Sequence, residues 1–253
     1  MPSEEEVVVY QKNFTAGLGL PTSDFFRGLL YYYGLELVHL NPNSVLHISV
    51  FTHLCEAFLG IPPHFALFVH LFQLKPQPSS NKLKVVGGAG LQLRNKNEYI
   101  LVPFKDSLKR WKQGWFYCGN HAPSLTTFTC CFQKQNANWT KLENPGDSDQ
   151  VNELLVLIAE QKSAGLTAVH VMGDWLRRRI QPLKLRERLG YEYVWGEDPT
   201  RETSTPVSDE TVKEILGEMF CSIGHWPGGC NVHSYHIGNV PPTVRFTKFA
   251  SPF

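Results

Sequence analysis

The segment covering residues 23–76 constrains the fold more than any other, because it is long, apolar and almost free of charge. A soluble protein places such a segment either in the core of a helical domain or on a surface that a partner covers. The segment contains no recognisable reaction centre, so it predicts architecture more directly than chemistry. Its charged residues are Asp24, Arg27, Glu36, Glu56 and Lys75.

Capping residues and glycines divide this segment into three predicted helices. The first is expected over residues 23–34, where a serine can cap the start and a glycine can end the last turn. The second is expected over residues 41–60, because an Asn-Pro pair opens it and its apolar side chains recur with a period of 3.6 residues. The third follows Pro62 and Pro63 and is expected to reach residue 76.

The residues after position 83 follow a different pattern. Short runs of β-branched and aromatic residues, such as KVVGGAGLQLR, EYILVPF, GWFYC and LTTFTCCFQ, predict strands. Apolar residues at helical spacing then predict helices over residues 149–162, 165–180 and 208–220. The expected fold class is therefore α+β, with a helical N-terminal bundle, a small antiparallel sheet in the middle and further helices towards the C-terminus.

The same patterns predict how the chain is divided. Residues 1–22 are expected to form an N-terminal arm, and residues 221–253 an irregular tail rich in Gly, Pro and His. A single α+β domain is expected between them, over residues 23–220. Within it, residues 23–76 are predicted to be helical, residues 83–133 strand-rich and residues 149–220 helical.

Composition points to an ordinary globular protein in a reducing compartment. The chain has 253 residues and a net charge of +1, so a global preference for nucleic acid or for an anionic membrane is not expected. The acidic start MPSEEEVVVY lacks the pattern of a secretory signal, and no span suits a bilayer. Six irregularly spaced cysteines fit reduced thiols. We expect an intracellular protein, cytoplasmic or nuclear, without membrane contact.

Two stretches concentrate basic residues. Residues 82–112 carry eight basic and two acidic side chains, interleaved with aromatic ones, and residues 177–188 carry six basic side chains and one acidic. Basic groups beside aromatic rings can neutralise phosphates and stack on bases. For residues 82–112, the alternative is a sheet whose aromatic side chains face the core while its lysines face water. For residues 177–188, the alternative is positive charge at the C-terminal end of a helix, where it interacts favourably with the helix dipole. The candidate binding residues are Lys105, Lys109, Arg110, Trp111, Lys112, Arg177, Arg178, Arg179 and Arg186.

The C-terminal tail carries weak candidates for a metal site. Thiolates and imidazoles are suitable zinc ligands, but the spacing C-x3-H-x4-C-x2-H fits neither a zinc finger nor a zinc knuckle. An ordinary tail rich in Gly and His is the competing interpretation. The candidate ligands are Cys221, His225, Cys230 and His233.

Motifs of catalysis are missing from the sequence. It contains no G-x-S-x-G, no P-loop and no G-x-G-x-x-G after a strand, and its seven aspartates are scattered. We therefore predict no catalytic residue and no cofactor.

Several motifs in and around the apolar segment 23–76 resemble those of a known family. The motifs that carry this resemblance are the loop GLGLP, the helix FFRGLLYYYGL, the turn HLNPN and the blocks CEAFLGI and PHF. Through them, residues 17–75 resemble the gypsy-type transposon domain of plant, especially grass, retroelement proteins. The likeness continues more loosely through GGAGLQLR, WFY and residues 176–201. It implies an origin in a mobile element and a structural role similar to that of gag-type proteins. The family has no established catalytic site, so the resemblance assigns no functional residue.

Three hypotheses for function follow from these observations. The leading one is a non-catalytic, retroelement-derived structural or interaction protein that acts through protein–protein contact, including self-association. The alternative is nucleic-acid binding by the basic stretches 82–112 and 177–188. The third is a metal-dependent enzyme similar to a transposase or an integrase, which would need three carboxylates that converge on a metal.

Overall fold

The computed structural model of the protein describes residues 6–20, 22–77, 84–100, 110–120, 124–127 and 129–180. Within this part, helices and short antiparallel strands pack around one main hydrophobic core, which confirms the predicted α+β class. The helix predicted over residues 208–220 and the tail predicted over 221–253 lie outside the described residues.

Strands and helices alternate irregularly along the chain. In chain order the principal elements are β1 (Glu6–Tyr10), α1 (Gln11–Thr15), α2 (Asp24–Tyr33), α3 (Pro42–Leu54), α4 (Phe65–Leu71), β2 (Phe72–Pro76), β3 (Ala89–Leu93), β4 (Trp115–Gly119), α5 (Ser148–Ser163) and α6 (Ala168–Trp175). Short 3-10 turns lie at Leu37–His39, Ala137–Trp139 and Pro145–Asp147, and π-helical turns at Cys55–Leu59 and Leu176–Ile180.

The predicted helix caps are confirmed for the first two helices of the apolar segment. Ser23 Oγ accepts a hydrogen bond from the Phe26 N–H at 3.2 Å, and Gly34 ends α2 with a left-handed φ of 64°. Asn41 Oδ1 accepts a hydrogen bond from the Ser44 N–H at 2.8 Å at the start of α3. These caps satisfy backbone groups that each helix end leaves without an internal partner.

The third predicted helix is shorter than the sequence suggests. α4 ends at Leu71, and the chain continues as β2, which pairs antiparallel with β3. Phe72 and Leu74 are buried while Lys75 is exposed, so the side chains alternate between two faces as in a strand. Burial of apolar side chains at helical spacing thus stops one turn earlier than predicted.

The sheet consists of two separate two-stranded antiparallel ribbons, β1 with β4 and β2 with β3. Val7 and Val9 of β1 belong to the main core, whereas Val8 and Tyr10 face the other side and pack with Val38. The first residues that the structure describes therefore contribute to the core instead of projecting from it.

The strand predicted from LTTFTCCFQ is wrong for its described residues, which are irregular. Buried polar groups hold this loop in place. Glu36 accepts hydrogen bonds from the Thr129 N–H at 3.2 Å and from Thr129 Oγ1 at 2.5 Å, and His39 Nε2 lies 3.0 Å from the Cys131 carbonyl oxygen. Cys130 has a φ of 59°, a left-handed conformation that interrupts an extended chain. Both Cys130 and Cys131 are exposed.

The helices predicted over residues 149–162 and 165–180 are confirmed as α5 and, with the π-helical turn that follows it, α6. α6 packs against α3, and both continue into a π-helical turn. In the described part of the chain, no single helix has the length and apolarity to cross a bilayer. Residues 145–163 and 168–180 would meet that criterion only as a pair bent by 97°.

Candidate interaction surface

Strand β4 places three consecutive aromatic side chains at the protein surface. Trp115, Phe116 and Tyr117 are 51%, 41% and 41% exposed. The strand forms because its aromatic residues suit an extended backbone and because β1 offers a complementary strand. The register pairs Tyr10 with Trp115 and Val8 with Tyr117, so these side chains share one face of the ribbon.

The aromatic rings pack on both faces of β4. Phe116 stacks on Phe14 with ring centroids 5.7 Å apart, on the face that carries the buried Val9. Trp115 and Tyr117 meet edge to face on the opposite side, with centroids 5.3 Å apart. The rings are therefore held by neighbours, although about half of their area stays in contact with water.

The outer edge of β4 is not paired with another strand in the described part of the chain. Natural proteins protect such edges with charged residues, proline or bulges. The sequence of β4, WFYCG, contains none of these. The β2 strand, by contrast, ends in Lys75 and Pro76, which are typical protective residues.

The predicted binding residues of the first basic stretch adopt different roles. Trp111 packs edge to face against Tyr10 with centroids 4.9 Å apart. Lys112 Nζ donates a hydrogen bond to the Val86 carbonyl oxygen at 2.7 Å and lies 5.4 Å from the Trp111 ring centroid. Burial, together with the charge of Lys84, lowers the pKa of Lys112. These two residues thus stabilise the turn that leads into β4.

Two further candidates of this stretch, Lys105 and Lys109, lie outside the described residues. Arg110 is described and exposed, and its φ of 60° places it in the turn before β4. Among the described candidates of this stretch, its side chain is the best placed to meet a partner.

Arg94, another cation of the same stretch, connects three parts of the fold. Its Nε atom donates to the carbonyl oxygens of Val69 at 3.2 Å and Phe72 at 3.1 Å, and its Nη2 atom donates to the carbonyl oxygen of Lys141 at 2.8 Å. These bonds join α4, β2 and the loop before α5. The Arg94 side chain therefore stabilises the fold and is not a candidate for contact with a partner.

Two arginines of the second basic stretch form ion pairs with carboxylates, which offset much of its positive charge. Arg178 Nε lies 2.9 Å from Asp174, and Arg179 Nη2 lies 2.5 Å from Glu56. The second contact joins the two π-helical turns. Arg177 is half-buried, and Arg186 lies outside the described residues. Two of the three consecutive arginines thus pair with a carboxylate.

The described residues contain no group of three or more His, Cys, Asp or Glu side chains that could hold a metal ion. The weak zinc candidates of the tail, Cys221, His225, Cys230 and His233, fall outside the described part. Their role stays a prediction.

Two histidines form three contacts with carboxylates that the sequence did not suggest. His70 lies between Glu143, 3.0 Å from Nδ1, and Glu98, 3.1 Å from Nε2. His53 Nε2 lies 3.1 Å from Asp174 Oδ2. Each contact joins residues far apart in the chain, so no local spacing could have revealed it.

The part of the fold that runs from β1 to β2 can be compared with known families. Residues 7–76 match the family model described as "Putative gypsy type transposon". The match confirms the resemblance seen over residues 17–75 and extends it to β1. No curated protein and no solved structure matches the chain.

The gypsy-type segment and the aromatic surface are connected through one ribbon. The segment supplies β1, whereas β4 lies outside the matched residues and pairs with it. The sequence predicted a strand at the aromatic residues of β4, but it did not predict that their side chains are exposed. The absence of charge and proline from WFYCG, in a strand next to a basic turn, was the available signal.

Proposed function

We propose that this chain is a non-catalytic, retroelement-derived interaction protein that acts through protein–protein contact, including self-association, in a role similar to that of gag-type proteins. The observation that carries the proposal is the run of exposed aromatic residues on the unprotected strand β4. The gypsy-type segment supports the origin of the chain in a mobile element.

The energetics of burial favour a protein partner. Aromatic side chains are enriched at the centres of protein interfaces, where they contribute most of the binding free energy. Burial of apolar area contributes about 25 cal/mol per Å². Trp115, Phe116 and Tyr117 keep 41–51% of their surface exposed. A partner that covers these three side chains would therefore bury apolar surface of each, and each burial would contribute to the binding free energy.

Sedimentation velocity over a wide range of protein concentration tests this proposal. We expect the wild-type chain to associate with itself, and we expect the double variant Trp115→Ser/Tyr117→Ser to associate at least tenfold more weakly. The matched control is Tyr31→Ser, because Tyr31 is 91% exposed but lies on α2. A strict monomer at every concentration would contradict self-association.

The second candidate function is nucleic-acid binding by the basic stretches 82–112 and 177–188. The specific observation in its favour is that exposed Trp115 and Tyr117 follow a turn that carries Arg110 and Lys112, an arrangement that could stack bases beside phosphate contacts. Against it stand the contacts of Arg178 and Arg179 with carboxylates.

Salt dependence separates this candidate from the first. Binding of a single-stranded oligonucleotide should weaken steeply with salt and should be lost when Lys109, Arg110, Arg177 and Arg178 are neutralised together. Binding that is absent or insensitive to salt would rule it out.

A further inference from the structure

We infer that the partner of strand β4 is a second copy of this chain, paired antiparallel along the outer edge of β4 about a two-fold axis at Tyr117. The inference rests on the proposed function and adds to it the identity of the partner and the register of the contact. Its product would be a four-stranded sheet in the order β1, β4, β4 of the second copy, β1 of the second copy.

The backbone groups at the outer edge of β4 fit this pairing. The Gln11 N–H donates to the Gly114 carbonyl oxygen at 2.9 Å, one step beyond the last pair of the ribbon. In an antiparallel ladder, hydrogen-bonded and non-hydrogen-bonded pairs alternate. Phe116 and Cys118 therefore direct their backbone groups to β1. Trp115, Tyr117 and Gly119 direct theirs outwards, and none of the three is a proline.

The side chains that such pairing brings together are complementary in size. With Tyr117 opposite its own copy, Trp115 lies opposite Gly119 and Phe116 lies opposite Cys118. The largest side chain of the strand thus covers the residue without a side chain, and an aromatic ring over a cross-strand glycine is a stabilising pair. No two bulky residues other than Tyr117 face each other.

The charges at the two ends of the ribbon favour antiparallel over parallel pairing of the two copies. The basic turn with Arg110 and Lys112 precedes β4, whereas Glu6 lies opposite Gly119 at the other end of the ribbon. Glu4 and Glu5 precede Glu6 in the sequence. Antiparallel pairing brings the basic end of one copy to the acidic end of the other, whereas parallel pairing would place like charges together. Charge complementarity of this kind sets orientation more than affinity.

A matched pair of substitutions at position 117 isolates the edge hydrogen bond. Tyr117→Ala and Tyr117→Pro both remove the ring, but only proline removes the outward N–H. Because this N–H does not point to β1, we expect both variants to keep the wild-type circular dichroism spectrum. In sedimentation equilibrium, we expect Tyr117→Pro to raise the dimer dissociation constant at least tenfold above that of Tyr117→Ala. Equal constants for the two variants would overturn the pairing.

Disulfide trapping tests the register. In a background with serine at Cys118, Cys130, Cys131, Cys221 and Cys230, Tyr117→Cys should give a covalent dimer on mild oxidation. Facing Cα atoms of a hydrogen-bonded pair lie about 5.5 Å apart, within disulfide range. Tyr31→Cys in the same background should not cross-link.

The outcomes separate the inference from the proposed function. Cross-linking of Tyr117→Cys and not of Tyr31→Cys supports the inference. Self-association without cross-linking at position 117 overturns the inference and leaves the proposed function in place. A monomer at all concentrations overturns the inference together with self-association. A monomer whose Trp115 fluorescence is quenched by a single-stranded oligonucleotide replaces it by the nucleic-acid candidate.

Discussion

The Nε2 atom of His53 lies 3.1 Å from Asp174 Oδ2 and thereby joins α3 to α6 across 121 positions of sequence. His53 is buried, and its Nδ1 atom has no hydrogen-bond partner within the described residues. The arrangement fits a neutral imidazole that donates from Nε2, because a proton on Nδ1 would be buried without an acceptor. Arg178 completes the chain of contacts through its bond to Asp174.

Replacement of Asp174 tests the contribution of this contact to stability. Asp174→Ala should lower the free energy of unfolding by about 1–3 kcal/mol, because it leaves the buried His53 N–H without an acceptor. Asp174→Asn keeps an acceptor oxygen and should cost less. Urea unfolding at pH 7.5 measures both. The control Glu153→Ala removes an exposed carboxylate on α5 and should stay within about 0.5 kcal/mol of wild type. Equal losses for alanine and asparagine would contradict the hydrogen bond.

Acid should destabilise the fold through His53, which is buried, and His47, which is partly buried. Burial lowers the pKa of His53, although the bond to Asp174 opposes this, and burial lowers the pKa of His47, which lies beside Phe72, to about 3. An unfolded histidine titrates near about 6.5. Below that pH the unfolded chain binds more protons than the folded chain, so the free energy of unfolding falls as the pH drops.

Urea midpoints between pH 7.5 and pH 5 measure this dependence. His53→Gln retains a side-chain donor without a titrating group, so its midpoint should fall less steeply with acid than that of wild type. Asp174 adds a second loss at lower pH. Burial opposes its ionisation, but hydrogen bonds from His53 and Arg178 outweigh burial and lower its pKa. Its stabilising contribution is therefore lost only below about pH 3.9. A midpoint independent of pH between pH 7.5 and pH 5 would refute the histidine effect. The Asp174 effect needs midpoints extended below about pH 3.9, and a midpoint independent of pH there would refute it.

Local signals explain which parts of the fold the sequence could predict. Ser23 and Gly34 bound α2 because a cap and a left-handed glycine act within one helical turn, and the printed sequence contains both partners. The same holds for Asn41 at the start of α3. Such elements need no knowledge of tertiary contacts.

Contacts between residues far apart in the chain explain which features the sequence predicted wrongly or did not predict. Phe72 begins a strand because Leu93 lies opposite, and Thr129 lies in a loop because Glu36 binds it from 93 positions away. The exposure of Tyr117 depends on which face of β1 the core covers. The candidate surface therefore became apparent only once the register of β1 and β4 was known.

Cysteine reactivity should follow burial. Burial raises the pKa of Cys55 to about 12, so very little thiolate forms at neutral pH, whereas Cys130 and Cys131 are exposed in their loop. With iodoacetamide at pH 7.5, we expect Cys130 and Cys131 to be alkylated at least tenfold faster than Cys55. Peptide mass spectrometry follows each site. In urea the difference should disappear, and rapid labelling of Cys55 in the native protein would contradict its burial.

Gly17, in the GLGLP loop of the gypsy-type segment, has a physical reason to be glycine. Its φ of 93° is left-handed, and a Cβ atom there would collide with Ser49 Oγ and lie 2.7 Å from Ser49 Cβ and 3.1 Å from Trp175 Cζ2. Ser49 Oγ is itself fixed, because it accepts a hydrogen bond from Trp175 Nε1 at 2.9 Å. The neighbours therefore cannot move aside without breaking a contact between α3 and α6.

Gly17→Ala should accordingly lower the free energy of unfolding by about 2–4 kcal/mol, the sum of left-handed strain and overpacking. Gly19→Ala, two residues along the same loop, is the matched control, because nothing lies within 4 Å of a Cβ atom there. It should stay within about 0.5 kcal/mol of wild type. In the double variant Gly17→Ala/Ser49→Ala, the collision with Oγ disappears, but the left-handed strain and the 2.7 Å approach to the Cβ atom of residue 49 remain, and Trp175 Nε1 loses its acceptor. We therefore expect urea denaturation to show that the double variant recovers at most part of the loss. Equal stability of the two single variants would refute the close packing of this loop against α3 and α6.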